Sequence, residues 1–158
     1  MEKVEIKLTA EEVKEKILTG ERNFRGATIH GNLDLGGAKI KDSLYLGGAT
    51  IEGSLYLGGA TIEGSLYLGG ATIEGTLYLR GAMIEDDLYF EGAKIHGNLN
   101  LGEATIEGDL DLERAKIKGN LDLSTKKGPT KIYVNEEMAQ LIHWSAPNIP
   151  LVVSRKKQ

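Results

Sequence analysis

ATIEGSLYLGG, ATIEGSLYLGG and ATIEGTLYLRG run without a break from Ala49 to Gly81. Two copies of an eleven-residue unit are identical and the third nearly so. A period this short and regular marks a stacked repeat, and it decides the fold before local propensity does. The unit extends in both directions. Alanine opens it at Ala27, Ala38, Ala49, Ala60, Ala71, Ala82, Ala93, Ala104 and Ala115. Isoleucine follows two residues later in all nine copies, from Ile29 to Ile117, and leucine four after that, from Leu33 to Leu121. The ninth position is Leu except at Phe90.

Written as A-x-I-x-G-x-L-x-L-x-G, the unit alternates apolar and polar residues at period two. That is strand spacing, since successive side chains point to opposite faces. No i, i+3, i+4 pattern competes with it. Eleven is odd, so the alternation slips once per unit, at the Gly-Ala junction such as Gly48-Ala49. Glycine at the fifth position, as in Gly53, offers a second corner through φ > 0 and close backbone approach. Each unit is then two very short strands and two bends. One such unit cannot bury its own apolar side, whereas stacked coils can.

Departures from the consensus set the length of a coil. Ile29-His30-Gly31-Asn32-Leu33 recurs 66 residues on at Ile95–Leu99, and a related string begins 22 further at Ile117. The two exceptions to Gly at the fifth position, Asp42 and Asp86, are 44 apart. All are multiples of 22, so two units make one coil. The expected fold is an all-β solenoid, a four-sided β-helix of about 4.5 coils. At ~4.8 Å per coil it stands roughly 22 Å tall. Ala, Ile, Leu and Leu of each unit line the inside, and Phe90 calls for a local bulge or a neighbouring gap.

The 158 residues suit one domain with three parts. Residues 1–20 hold a strand and a capping helix, 21–125 the β-helix, and 126–158 a C-terminal cap with a helix and a tail. Val4, Ile6 and Leu8 alternate with charged residues, which predicts a strand over 3–8. Thr9-Ala10-Glu11-Glu12 is a capping box opening a helix from Thr9 to Thr19, with Val13, Ile17 and Leu18 on its apolar side and Gly20 ending it. Both ends of a solenoid expose core and unpaired edges, so this helix is expected to act as a lid. After Ser124 the period stops. Ile132-Tyr133-Val134 predicts a last strand, and Asn135 is an N-cap for a helix over Glu136–Ser145 with Met138, Leu141 and Ile142 inward. Trp144, Ile149, Leu151, Val152 and Val153 are expected to complete the cap, and His143 to be structural.

Composition narrows function. There is no Cys, hence no disulfide or thiolate chemistry. The charged start MEKVEIKL has no secretory apolar core, and no apolar run reaches membrane-spanning length, so a cytoplasmic location is expected. A net charge of −4 argues against non-specific nucleic-acid binding.

Arg22-Asn23-Phe24-Arg25-Gly26 and Ala27-Thr28-Ile29-His30-Gly31 resemble two units of the pentapeptide-repeat family, with Phe24 and Ile29 at the central inward position. Family units of the form A-(D/N)-(L/F)-x-x stack into right-handed, four-sided β-helices. The resemblance implies that architecture over 21–125. The segment Asn32–Gly37 is six residues long, so the family motif fits only half of each unit. Some family members mimic DNA and bind gyrase, which makes an acidic-face binder one alternative. Bactofilin-type cytoskeletal β-helices, whose polymers need an open end, are another.

The candidate surfaces are rows spaced by 22. Tyr45, Tyr67 and Tyr89 should stack on one face, and Tyr56 and Tyr78 on the opposite one. These five, with Trp144, are the candidate interaction surface for a protein partner or self-association, such as a discrete dimer; glycan binding is a further use of such stripes. His30, Glu52, Glu74, His96 and Lys118 form another row, without the three or four convergent ligands a metal needs. Lys41, Glu63, Glu85 and Glu107, with Asp86, Asp87 and Asp109 nearby, suggest Ca²⁺, but their spacing fits no known calcium loop. A threonine array for ice is broken by Lys39, Met83, Lys94 and Lys116. No phosphate loop, dinucleotide fingerprint or nucleophile elbow occurs. The expectation is a non-catalytic structural or interaction module with no catalytic, metal or cofactor residues, no nucleic acid and no membrane partner.

Overall fold

The computed structural model describes residues 5–142 and 150–154. Strands of two residues, three at Thr28–His30, recur at every Ile and every first Leu of the units, and each pairs in parallel with the strand 22 residues away. Ile51 lies between Ile29 and Ile73, as two units per coil require. The strands gather into four parallel sheets, which are the four sides of a β-helix. Going round one coil, Thr28–His30 belongs to the first face, Leu33–Asp34 to the second, Lys39–Ile40 to the third and Leu44–Tyr45 to the fourth. The first and third faces are thus opposite, as are the second and fourth.

Inward residues are sealed. Ile51, Leu55, Leu57, Leu66 and Leu68 are all fully buried, and Ala49 beside them fits where the wall bends. Phe90 is buried without a bulge. Its N–H still donates to the Asp111 carbonyl at 2.8 Å, and Leu88 pairs in register with Leu66 and Leu110.

The two kinds of corner have different physical causes. At the unit junction, Gly48 has φ +67, and the Ala49 N–H donates to the Leu46 carbonyl at 3.0 Å. A positive φ at the third residue of such a turn favours glycine. The last two junctions use Glu103 and Arg114 instead, at φ 58 and 57. The fifth-position glycines answer mainly to crowding. A Cβ at Gly75 would lie 2.3 Å from Ser54 Oγ and 2.9 Å from Ser54 N, in the coil below. The expectation of φ > 0 at this corner holds only in the first coil, at Gly31 and at Asp42. There no earlier coil of repeats lies underneath, and the nearest atom to a Cβ on Gly31 is Ala10 Cβ at 3.9 Å.

A polar ladder runs inside this corner. Asn32, Ser54, Thr76 and Asn98 stack at the sixth position, and each side-chain oxygen accepts the backbone N–H of the next residue in that series, ending at Asn120. Ser43, Ser65 and Asp87 do the same on the other half of the coil, ending at the Asp109 N–H. This ladder serves N–H groups that the short strands leave over. Ser65 is 3% exposed, and among the described residues no buried polar side-chain atom lacks a partner.

Both ends carry helices. Lys7–Thr9 extends the first face below Thr28–His30. Helix α1 (Ala10–Leu18) then packs against Leu33–Asp34 of the second face. Thr9 Oγ1 accepts the Glu12 N–H at 3.1 Å, and Val13 and Ile17 are buried. Leu18, expected on the apolar side, is 59% exposed instead, because the narrow inner stripe of this nine-residue helix is Ala10, Val13 and Ile17. Arg22 ties the exit down by donating to the Ile17 and Lys41 carbonyls. At the other end Ile132–Asn135 joins the fourth face, Ile132 opposite Leu110. Helix α2 (Glu136–Ile142) starts at Asn135, whose Oδ1 accepts the Met138 N–H at 2.9 Å. Met138 and Ile142 are buried. Leu151–Ser154 then pairs alongside Ile132–Asn135, and Val152 and Val153, expected to complete the cap, are both exposed on this outermost strand. His143, Trp144 and Ile149 lie outside the described residues.

Candidate functional site

The eighth position of the unit points outward, and it takes one of two chemistries. In the middle coils it is tyrosine. Tyr45 and Tyr67 on the fourth face stack with centroids 4.8 Å apart and planes 6° from parallel. Tyr67 and Tyr89 continue the pile at 4.9 Å and 11°. On the second face Tyr56 and Tyr78 stack at 4.9 Å and 5°. The coil repeat itself imposes this spacing, and each ring is only half-buried. Five expected surface tyrosines therefore stand where the 22-residue count places them, in two piles on opposite sides. Trp144, the sixth expected residue, lies outside the described residues.

Towards the ends the eighth position is Asp or Asn. Asp34, Asn100, Asp111 and Asp122 each turn a side-chain oxygen back to accept the N–H two residues on, at 2.8–3.0 Å. These short side chains satisfy the N–H of the turn, which a tyrosine ring at the same position does not do. The Ser124 hydroxyl, donating to Asp122, holds that carboxyl below its ordinary range, helped by the Ser124 N–H. Burial pushes the Asp111 carboxyl up, against the hydrogen bond from Glu113 N–H.

The fourth-face pile has defined ends. The Arg25 guanidinium lies 4.2 Å from the Tyr45 ring centroid, a cation–π contact. At the far side the Tyr89 hydroxyl donates to Asp87 Oδ2 at 2.8 Å. That bond, followed by burial and the Asp87 charge, pushes the phenol up to about 12. Asp111 follows in register, then Tyr133. Tyr133 belongs to the same outward row and was not among the expected surface residues. Counting 22 on from Asp111 reaches it, but the motif around it has gone.

The other rows form pairs. On the first face His30 Nδ1 sits 2.5 Å from Glu52 Oε2, and His96 Nδ1 2.7 Å from Glu74 Oε2. On the third, Lys39 meets Glu63 at 3.4 Å and Lys127 meets Glu107 at 2.6 Å. Among the described residues no three His, Asp or Glu side chains converge as a metal site would need. No helix among them is long and apolar enough to cross a membrane.

Compared with protein-family models, with curated proteins and with solved structures, the chain matches none.

Proposed function

We propose that this chain is a non-catalytic β-solenoid, a rigid structural or interaction module whose working surface is the tyrosine wall of the fourth face. The observation that carries the reading is the continuous pile from Arg25 through Tyr45 and Tyr67 to Tyr89, half-exposed on a flat side. Stacked rings held by a rigid backbone present wide apolar area at little entropic cost on binding, which suits a protein partner. The four-sided coil and the five-residue half of each unit also support kinship with pentapeptide-repeat β-helices.

The test is affinity capture from the source cell with the intact chain and two single variants. A partner captured by wild type and by Thr61→Glu on the third face, but lost with Tyr67→Glu, supports the wall. Equal capture by both variants overturns it. Calcium calorimetry addresses the competing acidic-face reading, and a site of micromolar affinity would displace the present one.

A further inference from the structure

The outward row of the fourth face has one ring missing. Tyr45, Tyr67 and Tyr89 occupy three successive coils, Asp111 the next, and Tyr133 the one after. Two coil steps of ~4.8 Å set Tyr89 and Tyr133 roughly 9.6 Å apart. That separation accepts one flat group at the spacing the pile already uses. Tyr89, Asp109, Asp111 and Tyr133 line a recess there of about 220 Å³. The second face differs, since Asn100 and Asp122 follow Tyr78 and, among the described residues, no aromatic residue continues that row.

We propose that this gap is a receptor for an arginine side chain of a partner protein, its guanidinium sandwiched between Tyr89 and Tyr133 and paired with the Asp111 carboxylate. Four observations converge on that ligand. The walls are aromatic faces, and one of them is pinned by the Tyr89–Asp87 bond while stacked on Tyr67. The floor is anionic: among the described residues neither Asp109 nor Asp111 is in an ion pair, and Arg114, the nearby cation, is engaged by Glu91 at 2.9 Å. Asp111 spends one oxygen on the Glu113 N–H, which fixes the carboxylate in place. The molecule also makes the same contact once itself, with Arg25 on the lower face of the pile. A guanidinium is flat enough to fill the missing layer and can donate to a carboxylate in its own plane; an ammonium offers no plane to stack. Burial disfavours the Asp111 charge in the empty gap, and an arriving cation reverses that.

The inference rests on the tyrosine wall being an interaction surface, but it fails separately. If the gap is inert while Tyr67→Glu still abolishes capture, the wall stands and the receptor falls. The test uses the full chain and a blocked Gly-Arg-Gly peptide, followed by NMR on the tyrosine rings. Saturable shifts at Tyr89 and Tyr133 are expected, with a Kd on the order of 1 mM. The lysine counterpart should bind at least about fivefold more weakly. Asp111→Tyr completes the pile with the residue used at 45, 67 and 89, and should abolish saturable binding. Asp111→Asn keeps the shape and the turn bond, and should weaken binding about tenfold even if the tyrosine variant misfolds. Equal affinity for the two peptides, unchanged binding by Asp111→Asn, or no saturation by roughly 20 mM peptide would each overturn the proposal. Binding seen only after Arg155→Gln would overturn it too, by making the chain's own tail the occupant.

Discussion

The middle of the solenoid and its ends obey different rules. In the middle coils every residue has a near-copy above and below, so a contact made once is made several times. Leu55, Leu66 and Leu77 are fully buried in this way. Ile117 and Leu121, in the last unit, are only half-buried. Position eight changes from Tyr to Asp or Asn, the junction glycines give way to Glu103 and Arg114, and helices α1 and α2 stand at the ends. Repetition makes a wall, and departures from it make particular places. The consensus carries the packing, and its exceptions mark individual positions on the outside.

The sharpest test of that contrast is a charge in the core. Leu66→Asp puts an unpaired carboxylate between two coils, at a cost of about 4 kcal/mol or more. Leu121→Asp sits at the half-open end, and water reaches it, so about 1–2 kcal/mol is expected. Chemical denaturation of both variants measures the difference. Equal losses would mean that the end is as closed as the middle.

The polar ladder gives a smaller contrast. Ser54→Ala removes the oxygen that accepts the Thr76 N–H, leaving a donor in a crowded corner, for about 1–3 kcal/mol. Asn120→Ala lies at the top of the same ladder. Its N–H donates to Asn98, while its side chain has no further coil to serve, so a change within ~0.5 kcal/mol is expected. If Asn120→Ala costs as much, the ladder does not work coil by coil.

Coil length was legible in the sequence because the exceptions, Asp42 and Asp86 among them, recur in steps of 22. The faces were legible because Ile at the third position and Leu at the seventh never change. The polar ladder was harder to see: Asn, Ser, Thr and Asp share the sixth position, and their common property is a short oxygen acceptor, not an identity. The role of the fifth-position glycines was half-read, since sequence shows that a side chain is missing but not which atom would collide with it. Tyr133 escaped because the residues around it keep the phase of the coil after losing the motif. The five tyrosines of the piles were legible for the opposite reason.

Tyr89 supplies the smallest effect. Its folded-state phenol is raised to about 12 from 10.0, so the neutral form is the one the fold prefers. The unfolded chain ionises first. This contribution is fully present below pH 10 and is lost as pH rises through about 12. Tyr89→Phe should flatten that part of the pH–stability curve relative to wild type, as measured by denaturation at pH 9 and at pH 11. Curves that stay parallel would mean that the Asp87 bond does not hold the proton, and the wall beside Asp111 would be less rigid than the middle of the pile.

That one unit is half a coil has a consequence for how such a chain can change size. Inserting one eleven-residue unit would preserve every inward contact yet turn the C-terminal cap half a revolution about the axis, onto the second face. Tyr133 would then stand above the wrong pile. Inserting two units returns the cap to its own side and raises it by ~4.8 Å. Growth by gene duplication is therefore quantised: odd steps swap the two tyrosine walls relative to the lid, and only even steps leave the outside of the molecule addressed as before.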